Sequence, residues 1–220
     1  MKQFGLFDII GPIMIGPSSS HTAGAARLGH IAYKMAEGKV KSAKVTLYGS
    51  FAETGKGHGT DKAITAGLLG MDPDDESIRT AFDVAAERGI PIEVETSSQE
   101  PIHPNTARIQ VETTEGRILE MVGVSTGGGN IEVRQINGMD VVFACDNPTM
   151  VIFHRDRPGV IRFVTTRLAE QRINIAAMHV FRASKNEAAV MVIETDGDVP
   201  SWLVNHMVEE NKDITEVCQL

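Results

Sequence analysis

Apolar and small residues recur at helical spacing just after residue 22: Ala26, Leu28, Ile31, Ala32 and Met35 share one face. Gly38 follows as a C′ residue, so the pattern predicts a helix over Ala23–Glu37. The period then drops to two. Ala43-Lys-Val-Thr-Leu-Tyr48 alternates apolar and polar positions, the mark of a half-buried strand. That strand runs directly into a glycine–histidine loop, Thr54–Lys62, which feeds a helix over Asp61–Leu69. An acidic turn, Asp72–Glu76, precedes another amphipathic helix through Arg88, closed by Gly89.

Beyond residue 90 the two-residue period dominates. Pro91–Thr96, Thr106–Thr113, Arg117–Val124, Ile131–Ile136 and Met139–Ala144 all predict strands, with Thr114-Glu-Gly116 and Asn137-Gly138 as hairpin turns. The triplet Gly127–Gly129 interrupts this region and is too permissive for a strand interior. A linker-like break falls at Asp146-Asn-Pro148. After it come a strand (Met150–His154), a helix opened by Arg157-Pro-Gly159 and running through Gln171, and strands at Ile173–Arg182 and Ala188–Glu194. A turn at Ser184–Glu187 joins those two strands; a helix (Trp202–Glu210) and a strand (Ile214–Cys218) follow. The order β-α-β-β-α-β over roughly seventy residues is the ferredoxin-like motif. The expected fold class is therefore α+β, with an α/β domain over residues 1–146, a ferredoxin-like domain over 148–220 and a boundary near Asn147.

Composition narrows the function. A chain of 220 residues with 42% hydrophobic and 23% charged positions is an ordinary globular sequence, long enough for two modest cores. The net charge of −8 and the lack of a Lys/Arg cluster argue against nucleic-acid binding. The start, Met1–Asp8, shows no signal-peptide core, and no stretch approaches about 18 apolar residues. A cytoplasmic location away from membranes is expected. Cys145 and Cys218 belong to no Cys-x-x-Cys pattern and read as buried free thiols. Two cysteines are also too few for an iron–sulfur cluster, which typically takes about four thiolates.

The chemistry concentrates in two segments. Thr54-Gly-Lys-Gly-His-Gly-Thr-Asp-Lys62 places three glycines around Lys56 and His58. Glycines deny His58 the neighbours that a core histidine packs against, and an imidazole titrates near neutrality, which suits proton transfer. Lys56 can offset a substrate carboxylate or be a plain surface lysine. Thr60 and Asp61 can be an N-cap and a first-turn acid, a role compatible with holding a carboxylate at the same helix end. A phosphate-binding P-loop is excluded, because the glycine spacing is five rather than four and Gly57 stands where a hydroxyl is needed.

Upstream lies Gly16-Pro-Ser-Ser-Ser-His-Thr22. It is not a nucleophile elbow, since the final glycine is missing, and adjacency of Ser20 and His21 does not supply facing geometry. A hydroxyl loop before a helix is better suited to hydrogen-bonding an anionic or amino-acid ligand; its plainer reading is a generous N-cap. His30, His103, His154, His179 and His206 show no metal-ligand spacing. Asp156-Arg-Pro-Gly-Val160 is a strand-to-helix turn in which Gly159 permits close backbone approach, or simply a helix start with Pro158 at N1.

Together Gly16–Thr22, Tyr48-Gly-Ser50 with Thr54–Lys62, and Ser125-Thr-Gly-Gly-Gly129 resemble the β portion of iron–sulfur-dependent L-serine dehydratases. The C-terminal pattern with Arg157-Pro-Gly159 resembles an ACT domain, a small fold that often binds amino acids. The two resemblances cover nearly the whole chain. They imply conversion of L-serine to pyruvate and ammonia, with a [4Fe–4S] cluster acting as Lewis acid on the substrate hydroxyl. They imply His58 as the base for the α-proton, and Ser18, Ser19, Ser20, His21, Thr22, Lys56 and Thr60 as serine-binding residues. Arg157 and Gly159 mark an ACT effector site. The family's cluster cysteines lie in the α portion, so the resemblance makes this chain a β subunit, inactive alone, with an α subunit as partner. An ACT-mediated homodimer also fits. The β region of the family is similar to the allosteric substrate-binding domain of some phosphoglycerate dehydrogenases. The alternative is a non-catalytic amino-acid-sensing regulatory protein, in which both loops are pocket walls.

Overall fold

The computed structural model of the protein describes residues 13–220, so the stretch Met1–Asp8 lies outside the described residues. The chain divides into two compact units, Met1–Gly138 and Met139–Leu220. Among the described residues no helix is long and apolar enough to cross a membrane.

The first unit begins with a π-helical turn, Ser19–Gly24, that continues into α1 (Ala25–Met35). Then come β1 (Val40–Tyr48), α2 (Gly49–His58), α3 (Thr60–Leu68), a 3₁₀ turn at Glu76–Thr80 and α4 (Ala81–Glu87). Strands β2 (Ile92–Thr96), β3 (Asn105–Thr113), β4 (Ile118–Gly127) and β5 (Asn130–Ile136) follow. The order of these strands in the sheet is β2-β1-β3-β4-β5, with β1 and β2 parallel and the β1–β3, β3–β4 and β4–β5 pairs antiparallel. A parallel pair needs a long crossover, and α2, α3 and α4 all lie in it. Val45, Leu47, Ile109, Val111, Met121 and Val133 are buried on the sheet. Lys44–Glu95, Lys41–Glu112 and Arg108–Glu120 are exposed ion pairs between neighbouring strands. One face thus packs and the other is solvated, as antiparallel sheets commonly arrange it. The exposed pairs contribute only about 0–1 kcal/mol each.

The glycine–histidine segment is the main departure from expectation. Thr54–His58 is not a loop but the last turn of α2. Gly59 alone breaks the helix, at φ 67°, and α3 starts on the next residue. Helix forms here despite the glycines because α2 is anchored by buried Phe51 and Gly55, the latter seated against Thr60 and Leu47. Gly127–Gly129 forms the tight β4–β5 hairpin turn, with φ of 106°, 62° and 83°. Cys218 is buried as expected, whereas Cys145 is only half-buried and sits at φ 58°.

The second unit opens with β6 (Met139–Phe143). After it β7 (Thr149–Arg155), α5 (Val160–Glu170), β8 (Ile175–Arg182), β9 (Ala188–Thr195), α6 (Ser201–Glu210) and β10 (Ile214–Gln219) follow the expected β-α-β-β-α-β order. Its sheet order is β10-β7-β9-β8, antiparallel throughout. Both helices bury one stripe against it, through Val160, Val164 and Leu168 and through Leu203 and Met207. Gly159 is the N-cap of α5 at φ 98°, so Pro158 precedes the helix rather than occupying N1.

What sets the layout of the first unit is the contact between α1 and α3. A Cβ at Gly67 would collide with the Ala26 carbonyl oxygen and lie 2.9 Å from the Gly29 Cα, and one at Gly29 would collide with the Ile64 carbonyl oxygen. The helices therefore meet backbone to backbone. Gly67→Ala or Gly29→Ala is expected to destabilise the chain by about 1–3 kcal/mol in urea denaturation, since backbone cannot shift as a side chain does. Gly57→Ala serves as the contrast. Nothing lies within 4 Å of its Cβ position, so alanine there should be neutral or stabilise by up to about 1 kcal/mol.

Candidate functional site

Three helix ends converge in the first unit: the π-helical turn, the C-terminus of α2 and the N-terminus of α3. Ser18 is extended (φ −139°, ψ 122°) and caps the turn, its Oγ accepting from the His21 N–H at 3.1 Å. A π turn is wider than an α turn and is often found where function requires a side chain to be re-aimed. Gly24 lets this turn lie against β4, because a Cβ there would collide with the Ser125 Oγ. On the far side, the Arg27 guanidinium donates to the Gly129 carbonyl at 2.8 Å, tying the β4–β5 turn to α1.

His58 is the last residue of α2 and is partly exposed. Its Nδ1 lies 3.2 Å from the Thr54 carbonyl. A carbonyl only accepts, so Nδ1 carries the proton and the neutral ring keeps its lone pair on Nε2. The Thr22 hydroxyl donates to the His58 carbonyl at 3.2 Å and joins the π turn to this helix end. His21 is held at both ring nitrogens, Nε2 at 3.0 Å from the Ser50 Oγ and Nδ1 at a long 3.4 Å from the Ser18 Oγ. Its ring stands 4.8 Å from that of His58 and 5.3 Å, edge-on, from Phe51. Burial, then the neighbouring His58, push the His21 pKa below the usual 6.5, partly countered by hydrogen bonding at Ser50.

The residues expected from sequence do not all behave alike. Ser18, His21, Thr22 and His58 meet within one hydrogen-bonded cluster. Ser19 and Ser20 lie half-buried in the same turn, and the Ser20 Oγ is 4.0 Å from the Cβ position of Gly127. Lys56 is exposed on α2. Thr60 is fully buried, with an Oγ1 that has no hydrogen-bond partner, next to Gly55. Arg157 belongs to the second unit, where its Nε lies 3.6 Å from Asp213 beside the Gly159 turn. Sequence reasoning did not single out Arg27 or Phe51, or assign Ser50 its part as the partner of His21. Ser50 was at least visible within the Tyr48-Gly-Ser50 run; nothing local signals Arg27, whose partner is 102 residues away. Among the described residues no group of three or more His, Cys, Asp or Glu could hold a metal ion.

Residues 5–88 match the family described as serine dehydratase beta chain, and residues 150–218 match the AHAS small subunit-like ACT domain. A probable L-serine dehydratase, beta chain, from Bacillus subtilis is 43% identical over 220 residues, covering 100% of this chain and 98% of that one. The chain belongs to the serine dehydratase beta chain family. The L-serine dehydratase beta chain of Peptoniphilus asaccharolyticus is 34% identical over 89% of each chain. A D-3-phosphoglycerate dehydrogenase of Methanocaldococcus jannaschii is 27% identical over 84% of this chain but only 35% of its own length. The beta chain thus carries its Ser/His and Gly/His segments within the family match and an ACT domain after it.

The depressed His21 pKa has a thermodynamic consequence. Unfolded His21 titrates near the usual 6.5 and folded His21 lower, so just below that pH the unfolded chain binds more protons. The stabilisation from a neutral His21 is present above the unfolded pKa and is lost as pH falls towards the folded one. His21→Phe should therefore flatten the loss of stability as pH falls below about 6.5, as read by urea denaturation at each pH.

Proposed function

We propose that this beta chain is one half of an L-serine dehydratase that converts L-serine to pyruvate and ammonia, with a [4Fe–4S] cluster carried by a separate α subunit. The observation that carries the reading is His58. It is an imidazole at a helix end whose Nδ1 proton is committed to the Thr54 carbonyl, so that Nε2 is free to accept a proton. In this reading Nε2 takes the α-proton of serine. Departure of the β-hydroxyl as hydroxide then completes the net loss of water and leaves aminoacrylate, which hydrolyses to pyruvate and ammonia.

The hydroxyls of Ser18, Ser19 and Ser20 and the uncapped N-terminus of α3 offer donors for the polar ends of an amino acid. The chain's own residues do not fit the cluster. It has two cysteines, against about four thiolates for such a group. The ligands in this proposal belong to the α subunit, and cytoplasmic assembly of the two chains follows from the same reading. Arg157 and Gly159 would mark an effector site on the ACT unit, which can also pair with a second copy.

Two measurements test this. Purified chain alone should not dehydrate serine, whereas mixing it anaerobically with the α chain, iron and sulfide should restore turnover; dehydration by the beta chain alone would overturn the proposal. In the reconstituted complex, His58→Ala should lower kcat by about 10²–10⁴ and leave the cluster absorption unchanged. A regulatory amino-acid sensor needs no proton acceptor, so near-normal turnover in that variant would remove His58 as the base.

A further inference from the structure

The resemblance to the family groups His21 with the residues that bind serine, but its surroundings suit another task. Both ring nitrogens are already engaged, by Ser18 and Ser50. In either neutral tautomer the two hydroxyls complete the pattern, one donating and one accepting, because a serine hydroxyl does both. The ring is further fixed edge-on against Phe51, which is fully buried. A substrate would have to break one of these bonds to reach it.

His58 has the opposite problem. The residues on either side are Gly57 and Gly59, and nothing lies within 4 Å of the Cβ position of either. Its own hydrogen bond, to the Thr54 carbonyl, is solvent-exposed, and one exposed hydrogen bond does not hold a ring in a single orientation. Its ring lies against that of His21, at 4.8 Å between centroids with the planes tilted by 42°.

We propose that His21 is a positioning residue for His58: clamped by Ser18, Ser50 and Phe51, its imidazole is the wall that keeps His58 turned with Nδ1 on the Thr54 carbonyl and Nε2 open to substrate. The proposal rests on the reading of His58 as the base. It separates the two histidines by task, one held still and one left free to exchange a proton. It also gives Ser50 a role: its backbone N–H is tied to the Pro104 carbonyl at 2.7 Å, which anchors the clamp to the segment before β3.

The test joins a spectroscopic and a kinetic arm. In the full chain, ¹⁵N NMR of the histidine side chains should show His58 as the Nδ1–H tautomer. His21→Ala should convert that signal to a mixture of tautomers. In the complex with the α subunit the same variant should lower kcat on the order of 100-fold, as misplacement of a reacting group does, and change KM by less than about threefold. Ser50→Ala, which frees Nε2 while keeping the His21 ring, should give the same signature more weakly, and it decides the matter if His21→Ala does not fold. A His58 that stays Nδ1–H in the folded variant overturns the proposal. So does a large rise in KM with kcat held, which would make His21 a substrate ligand. If the wild-type complex fails to dehydrate serine, the functional reading falls, yet the NMR arm still decides whether His21 positions His58.

Discussion

Everything at the candidate site depends on how closely α1 and α3 approach. Gly29 and Gly67 remove the side chains at the crossing, so each helix presses on the carbonyl of the other, Ile64 in one direction and Ala26 in the other. Any larger residue would push the axes apart. The π-helical turn leads into α1, and α3 starts one residue after His58. Separation at the crossing would therefore stretch the bond from Thr22 to the His58 carbonyl. A packing detail in the hydrophobic layer thus sets a polar distance in the site.

The sheet supplies the second fixed element. Gly24 on the turn and Ser125 on β4 are in contact, and Gly123 leaves room for Leu28 of α1 on the same strand. Small residues are again the means of close approach. By contrast a Cβ at Gly57 or Gly59 would meet nothing within 4 Å, and of the two only Gly59, at φ 67°, is required by the backbone. The glycines of this chain therefore serve two purposes. Some let backbones meet, and others keep the surroundings of His58 clear.

Much of the architecture was legible from periodicity, because burial acts on it directly. The alternation in Ala43–Tyr48 and the stripe through Leu28, Ile31 and Met35 report which atoms leave water, and both elements formed as expected. The β-α-β-β-α-β order from β7 to β10 was readable in this way. The stretch Thr54–His58 was not, because local propensity argues against helix at Gly55 and Gly57. Its helical form comes from tertiary burial of Phe51 and Gly55, which a local reading cannot weigh. The half-buried state of Cys145 was likewise invisible from residue type alone.

By itself the sequence determined the order of elements, and it directed attention to His58 and the hydroxyl run Ser18–Ser20 as candidates. These follow from patterns in neighbouring residues. Only the tertiary structure decided that His21 is spoken for by Ser18 and Ser50, that Thr60 is buried with no partner, and that Arg27 reaches Gly129. The reason is physical: a hydrogen bond depends on separation in space within about 3 Å, and residues 29 or 102 positions apart carry no local record of meeting.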